Sequence, residues 1–336
     1  MKRNFKIVAS LTLILILLIA AKVTTAQESS TGLIAAPPFI SENIGSGAEI
    51  EEKIRITNHR DTDEDIYIVS REIGIDQNGD FYTPEGLEEG ATSIFEQEGW
   101  LTFEPRQFFL KRGEGQLVTV RIQMPENLPT KGYYLELAAT TQPPEAGERQ
   151  VGLAPEIAIP IAINYIGIGE EIRNLEIVSF KTDRVLYEYP PVKFETHLSN
   201  KGNVHIIPVG QIFISRNREF KDNEGSLGFN EGGQRIFAQA GRRFENIWKE
   251  AFIIREDSGE IKVDWNKLTE FRIGKYYAQL NVAWDGKEGK EYISAETSFW
   301  VFPWKILIVI LLIVLIIIGL ILLKKWRRKG LKKYVE

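Results

Sequence analysis

The chain has no cysteine and only three histidines among its 336 residues. Without a thiol there is no disulfide, no thiolate nucleophile and no thiolate metal site, so an exported domain of this composition must rest on its apolar core. The lipid-modified cysteine of a bacterial lipoprotein anchor is excluded as well. Cysteine-free export points to a bacterial surface, because secreted animal sandwiches are often disulfide-bonded. The histidines offer little to catalysis: His59 falls in a charged turn, and His197 and His205 flank the turn Asn200-Lys201-Gly202-Asn203. A metal shared by His197 and His205 has no evident third ligand. A Gly-x-Ser-x-Gly nucleophile in its strand-turn-helix setting is missing, and Gly45-Ser46-Gly47 has no strand and helix to make it a phosphate loop. The chain is therefore expected not to be an enzyme and to need no cofactor.

Positive charge is also scarce where it would matter for nucleic acid. Of 41 Lys and Arg, four lie in the first 26 residues and eight at or after Lys305, while of 46 Asp and Glu only Glu336 lies outside the stretch between. That stretch carries 29 cations against 45 anions, a net charge of −16. Nucleic acid and anionic lipid are thereby disfavoured as its ligands, since each phosphate contact needs Lys or Arg.

Apolar residues are concentrated at the two ends. Ile306 to Leu323 is a run of eighteen residues, all Ile, Leu or Val except Gly319, flanked by Trp304 and Trp326. At about 1.5 Å per residue it spans roughly 27 Å, close to the hydrocarbon core of a bilayer, with aromatic residues at both interfaces. Lys324, Lys325, Arg327, Arg328 and Lys329 follow it and only Lys305 precedes it, so these residues set the topology and the tail is expected in the cytoplasm. The thirteen residues after Leu323 are too few for a folded domain. Residues 1–26 read as a signal peptide: Lys2, Arg3 and Lys6, then an apolar core from Val8 to Ala21, then Thr24-Thr25-Ala26 as a small-residue cleavage site. The expectation is a single-pass type I protein of a cell membrane, with its ectodomain outside.

Between the ends the apolar period is two. Val118, Val120, Ile122 and Met124 alternate with polar residues, and so do Tyr133, Leu135, Leu137 and Ala139. Ile157, Ile159, Ile161, Ile163 and Tyr165 give five inward candidates with small or polar residues between them. Turn signals at Glu42 to Gly47, Gln77 to Asp80, Lys111 to Gly115 and Pro125 to Gly132 separate the strands, and only Ala91 to Gly99 looks helical. The pattern recurs: Asn58 and Asn200, and Gly132 and Gly274, are both 142 residues apart. The predicted class is all-β, two tandem immunoglobulin-like antiparallel β-sandwiches plus one C-terminal transmembrane α-helix. The divisions are 1–26 signal peptide, 27–168 first sandwich, 169–302 second sandwich, 303–323 transmembrane helix and 324–336 basic tail.

The stretch Trp100-Leu101-Thr102-Phe103-Glu104-Pro105, the turn Leu110 to Gly115, the strand Leu117 to Met124 and Gly132-Tyr133-Tyr134 resemble the N-terminal domain of the WxL-interacting surface proteins of Gram-positive bacteria. That resemblance implies a first domain associated with peptidoglycan and a second that binds a partner or host surface. The function expected is non-enzymatic binding of cell-wall polymer or another surface protein, reached mainly by the first, outer domain; the alternative is a structural stalk or accessory subunit, stiffened by calcium. Asp76, Asn78 and Asp80 around Gly79 are the weak calcium candidate, although an Asn-Gly hairpin needs no ion. Tyr133, Tyr134, Tyr276, Tyr277, Trp265 and Trp284 are candidates for stacking on sugar rings, with one of each Tyr pair expected to turn inward and leave the other free.

Overall fold

Strands with one apolar face must close over a core, and in this chain they do so twice. The computed structural model describes residues 32–85, 91–143, 155–222 and 224–332, with side chains as far as Leu322; the signal-peptide reading of 1–26 lies outside the described residues, as do the side chains of Lys324, Lys325, Arg327, Arg328 and Lys329. The first unit comprises β1 (Leu33–Ala36), β2 (Ile40–Gly45), β3 (Glu49–Asn58), β4 (Glu64–Glu72), β5 (Gly74–Ile75), β6 (Phe81–Tyr82), the helical turn α1 (Ile94–Gln97), β7 (Leu101–Glu104), β8 (Gln107–Leu110), β9 (Gly115–Gln123), β10 (Lys131–Thr140) and β11 (Glu156–Ile166). The second comprises β12 (Leu175–Thr182), β13 (Leu186–Tyr187), β14 (Val192–Asn200), β15 (Val209–Ser215), β16 (Gly225–Phe229), β17 (Gly241–Trp248), the hairpin β18 (Ile253–Arg255) and β19 (Ile261–Val263), a 3₁₀ helix (Trp265–Glu270), β20 (Gly274–Asp285) and β21 (Lys290–Val301).

Each unit is a sandwich of two sheets, and equivalent strands follow the same order in both, β7 having no counterpart in the second. In the first, β1-β3-β9-β7 faces β2-β11-β10-β4-β8; in the second, β12-β14-β17 faces β13-β21-β20-β15-β16. Every pairing in these four sheets is antiparallel except β2 with β11 and β13 with β21, which are parallel. The chain therefore starts each sandwich in one sheet and switches to the other within a few residues, an immunoglobulin-like arrangement. The alternating residues fill the two cores as their period requires: Val118, Val120, Ile122 and Met124 in the first, Tyr276, Ala278, Leu280 and Val282 in the second. The turn expected over Glu42 to Gly47 is shorter, because parallel pairing with β11 carries β2 as far as Gly45.

The 142-residue repeat has a physical content. Asn58 is buried at the end of β3; its Nδ2 donates to the carbonyls of Thr62 and Leu110, and its Oδ1 accepts from Arg60 N. Asn200 is buried at the end of β14; its Nδ2 donates to Val204 and Ile236, and its Oδ1 accepts from Gly202 N. Each Asn replaces a ladder partner where the chain leaves the sheet, so a side chain of that length with both a donor and an acceptor is needed at both places. Gly202 is required by the same turn: a Cβ there would stand 2.1 Å from the Ile172 carbonyl oxygen.

The last strand, β21, passes through Phe302 and Pro303 into α2 (Trp304–Lys332), whose residues Trp304–Leu322 are long and apolar enough to cross a membrane and make no buried contact with the sandwiches. The Phe302 N–H donates to the Tyr187 carbonyl at 2.7 Å, so the parallel β13–β21 pair continues to the foot of the helix. Replacing Asn200 with Ala strands two buried carbonyls and one N–H, and guanidinium unfolding of the detergent-solubilised protein, followed by tryptophan fluorescence, is expected to show a loss of about 2–4 kcal/mol. An unchanged midpoint would remove the capping role.

Candidate functional site

Part of the outer face of β11 and β10 is turned away from solvent. Ala162 and Asn164 on β11 are about 1% exposed although they point away from the first core. They are covered by two loops of the second sandwich, the one following Asn200 and the one before β17. Asn164 and His205 bond reciprocally: His205 N donates to Asn164 Oδ1 at 2.8 Å, and Asn164 Nδ2 donates to the His205 carbonyl at 3.0 Å. The His205 ring shares a 3.0 Å hydrogen bond with the Ser41 hydroxyl through Nε2. Around this pair, Tyr134 OH accepts from Ala238 N at 3.1 Å, and the Phe237 ring packs edge-on to Tyr134 with centroids 5.1 Å apart. Asn203 ties the linker in, donating from Nδ2 to Thr130 and Glu170 and accepting from Ile172 N.

The hairpin β5–β6 closes one side of this joint. Gln77 accepts from Gly241 N at 2.7 Å, and Gly79, at φ 87°, lies so near that an added Cβ would meet the Gly241 oxygen at 3.1 Å. Asp76 organises the turn: its Oδ1 accepts from Asn78 N at 2.8 Å and from Asp80 N at 2.9 Å, and the bond from Asp80 first among them holds its pKa below the usual carboxylate value. The loop that suggested calcium thus spends its Asp76 oxygen on backbone N–H groups and its tip on the second sandwich. Among the described residues no group of three or more His, Asp or Glu is assembled that could hold a metal ion.

Beside the joint lies an open cleft of about 410 Å³ whose lining includes Phe39, Asp80, Phe81, Arg235, Phe237 and Arg242. The Arg235 guanidinium stacks on the Phe39 ring, 4.3 Å from its centroid. Burial presses the Arg235 pKa below its ordinary value, and its Nε has no hydrogen-bond partner. Arg242 donates from Nη1 to the Arg235 carbonyl at 2.9 Å. Neither guanidinium forms an ion pair among the described residues, whereas Arg71, Arg173, Arg255 and Arg272 all do. Two cations set among three aromatic rings can receive an anionic group next to an apolar or sugar face.

No protein-family model and no curated protein matches the chain. Among solved structures it is similar to the class 5 fimbriae chaperone CfaA (15% identity, 78% of this chain and 98% of that one, TM-score 0.37) and to the CupB2 chaperone of Pseudomonas aeruginosa (8%, 79% and 100%, TM-score 0.35). It is also similar to a structure of the CsuC–CsuE chaperone–tip adhesion subunit pre-assembly complex from Acinetobacter baumannii (13%, 79% and 98%, TM-score 0.34). At overlaps and identities this low, nothing about function passes from them to this chain.

The aromatic candidates separate by environment. Tyr276 and Trp284 belong to the second core, and Tyr277 lies outside it under Lys275. The first pair departs from the expectation of one free tyrosine: Tyr133 packs on Phe95 and Tyr165, and Tyr134 is held in the joint, where burial pushes its pKa up to about 12. With Trp100 and Lys131, these two tyrosines line a second concavity of about 420 Å³ on the first sandwich. His197 lies in β14 opposite Arg243, while His205 is turned to Ser41, so the two histidines serve different contacts. Phe39, Arg235, Phe237 and Arg242 escaped the sequence reading; the small Ala162 and the polar Asn164, alternating with the inward Ile161, Ile163 and Tyr165, were the available sign that a second surface covers that strand.

Burial, with Arg235 and Arg173 nearby, pushes the His205 pKa down to about 3. The unfolded chain, with an ordinary histidine near 6.5, binds more protons below that pH, so this contribution is intact above pH 6.5 and is lost as the pH falls toward 3. Denaturant unfolding at pH 7 and pH 5 should show the wild type losing about 2 kcal/mol more than His205→Gln, at about 1.4 kcal/mol per pH unit below the unfolded pKa. Equal losses in both proteins would show that His205 titrates as an ordinary histidine.

Proposed function

We propose that this chain is a non-enzymatic surface protein, anchored by α2 with its basic tail in the cytoplasm, that binds a cell-wall polymer or a partner displayed on it in the cleft between its two sandwiches. The observation that carries the proposal is the pair Arg235 and Arg242, two guanidiniums without carboxylate partners among the described residues, beside the rings of Phe39, Phe81 and Phe237. In a chain whose exported part carries a net charge of −16, long-range attraction to an anionic polymer is weak, so recognition must be local, by guanidinium fork and ring stacking. Peptidoglycan supplies both halves of that match, carboxylates on its peptides and flat faces on its sugars. The residues resembling the WxL-interacting proteins support the same ligand class, although the cleft draws on both sandwiches where the resemblance places peptidoglycan association on the first alone.

Co-sedimentation of the detergent-solubilised protein with isolated Gram-positive cell wall tests the reading. The wild type should sediment with the wall, and Arg235→Ala and Arg242→Ala should each weaken binding about tenfold, the worth of one charge-assisted hydrogen bond, with little change in melting temperature. Undiminished binding by the double variant would move the site out of this cleft; failure of the wild type to bind would leave the stalk reading.

A further inference from the structure

The second sandwich has two ends. Its joint end holds Asn200, Gly241 and Asp285; its opposite end holds Val192, Trp248, Gly274 and Val301, because β17 and β21 run toward α2 while β14 and β20 start at that end and run to the joint. That second end carries the hairpin β18–β19 and the 3₁₀ helix, whose last residue is four positions before Gly274, the partner of Val301. Glu188 fixes the hairpin to the helix: its Oε2 lies 2.6 Å from Arg255 Nη2 and 3.2 Å from Lys305 Nζ. Ile261 pairs directly with Arg255, and Val263 with Ile253, so the two apolar side chains share the hairpin face that turns to Glu188 and the first turn of α2.

At this end large apolar side chains stand in the open. Trp265 is 76% exposed and Leu268 60%, on either side of a kink at Lys267 in this short helical segment; Ile261 is 49% exposed. Leu186 and Trp300, opposite each other on the outer face of the β13–β21 pair, are 59% and 46% exposed. Trp304, where the span begins, is 47% exposed. Apolar surface of this extent with a Trp at its edge matches the water–hydrocarbon boundary of a bilayer, which accommodates the apolar body and polar tip of tryptophan together. The hairpin turn is acidic, with Glu256, Asp257 and Glu260 exposed, so charge gives the attachment no help.

We propose that this end of the second sandwich docks on the bilayer surface, with Trp265 and Leu268 seated in the lipid interface beside the emerging span. The sandwich then stands on two supports, the helix and the docked edge, and cannot swing about Pro303. The contact is apolar, so zwitterionic lipid suffices and salt leaves it unchanged. This inference rests on the reading of Trp304–Leu322 as a membrane span and is independent of the cleft.

The absence of cysteine makes the test direct. Full-length chains carrying Leu268→Cys, Ile313→Cys or Thr102→Cys are labelled with an environment-sensitive fluorophore and reconstituted in phosphatidylcholine vesicles with or without lipids bearing a nitroxide near the headgroup or near the acyl terminus. The label at 268 should emit to the blue of the label at 102 and lose most of its intensity to the headgroup-proximal nitroxide, at low and high salt alike; the label at 313 should be quenched by the deep nitroxide, and the label at 102 by neither. A label at 268 that behaves like that at 102 while 313 is quenched overturns the docking and leaves the span intact. An unquenched label at 313 overturns the span and the docking with it.

Discussion

The reciprocal hydrogen bonds between Asn164 and His205 are the constraint on which the rest of this structure depends. They bury four polar groups between two sandwiches, and in a water-poor contact each group left unpaired would cost about 1–3 kcal/mol. The apolar part of the contact is small, built on Ala162, Phe237 and Ala240 with Phe39, Ile75 and Tyr134 packed against them. Burial of that size contributes little directional preference, so the polar pairs set the alignment. Asn203, Tyr134 and Gln77 add bonds that are satisfied only at the same relative placement of the two units. The cleft holding Arg235 and Arg242 exists because of that placement, since Phe39 and Phe81 come from one sandwich and both arginines from the other.

The second consequence runs to the membrane end. The strands of the second sandwich connect the joint to the foot of α2, and the parallel β13–β21 pair passes into the helix with a backbone hydrogen bond at Phe302. Glu188 is shared there by Arg255 and Lys305, with its other oxygen unpartnered. Load placed on the first sandwich is therefore carried through the joint, along β14 and β21, into the helix. A surface held this way keeps its distance and orientation from the foot of α2 better than one on a flexible tether would.

Much of this was legible in the sequence, for a physical reason. A period of two with turn residues between strands is a local signal, so residues such as Val118, Val120 and Ile122 could be placed in a core without knowing their partners. The repeat was legible because Asn58 and Asn200 do the same bonding work at the same place in two sandwiches. The joint was not legible, because it is made by side chains far apart in the chain whose types are ordinary. Ala162 fits a solvent-facing strand position as well as a contact, Arg235 fits a polar loop, and Tyr134 fits a free aromatic until Ala238 is seen to bond it. Asp76 and Asp80 drew attention as a cation site for the feature, oxygens at alternating positions, that lets Asp76 cap a turn with its own backbone.

The fixed placement of the two sandwiches is the central claim, and a distance distribution measures it most directly. Spin labels at Thr102→Cys on the first sandwich and Lys181→Cys on the second, both exposed positions in a chain with no native cysteine, report the separation by pulsed dipolar spectroscopy in nanodiscs. The account predicts one narrow distribution, broadened when Asn164→Ala and His205→Ala are combined. A broad distribution in the wild type, as wide as that of the double variant, would contradict it.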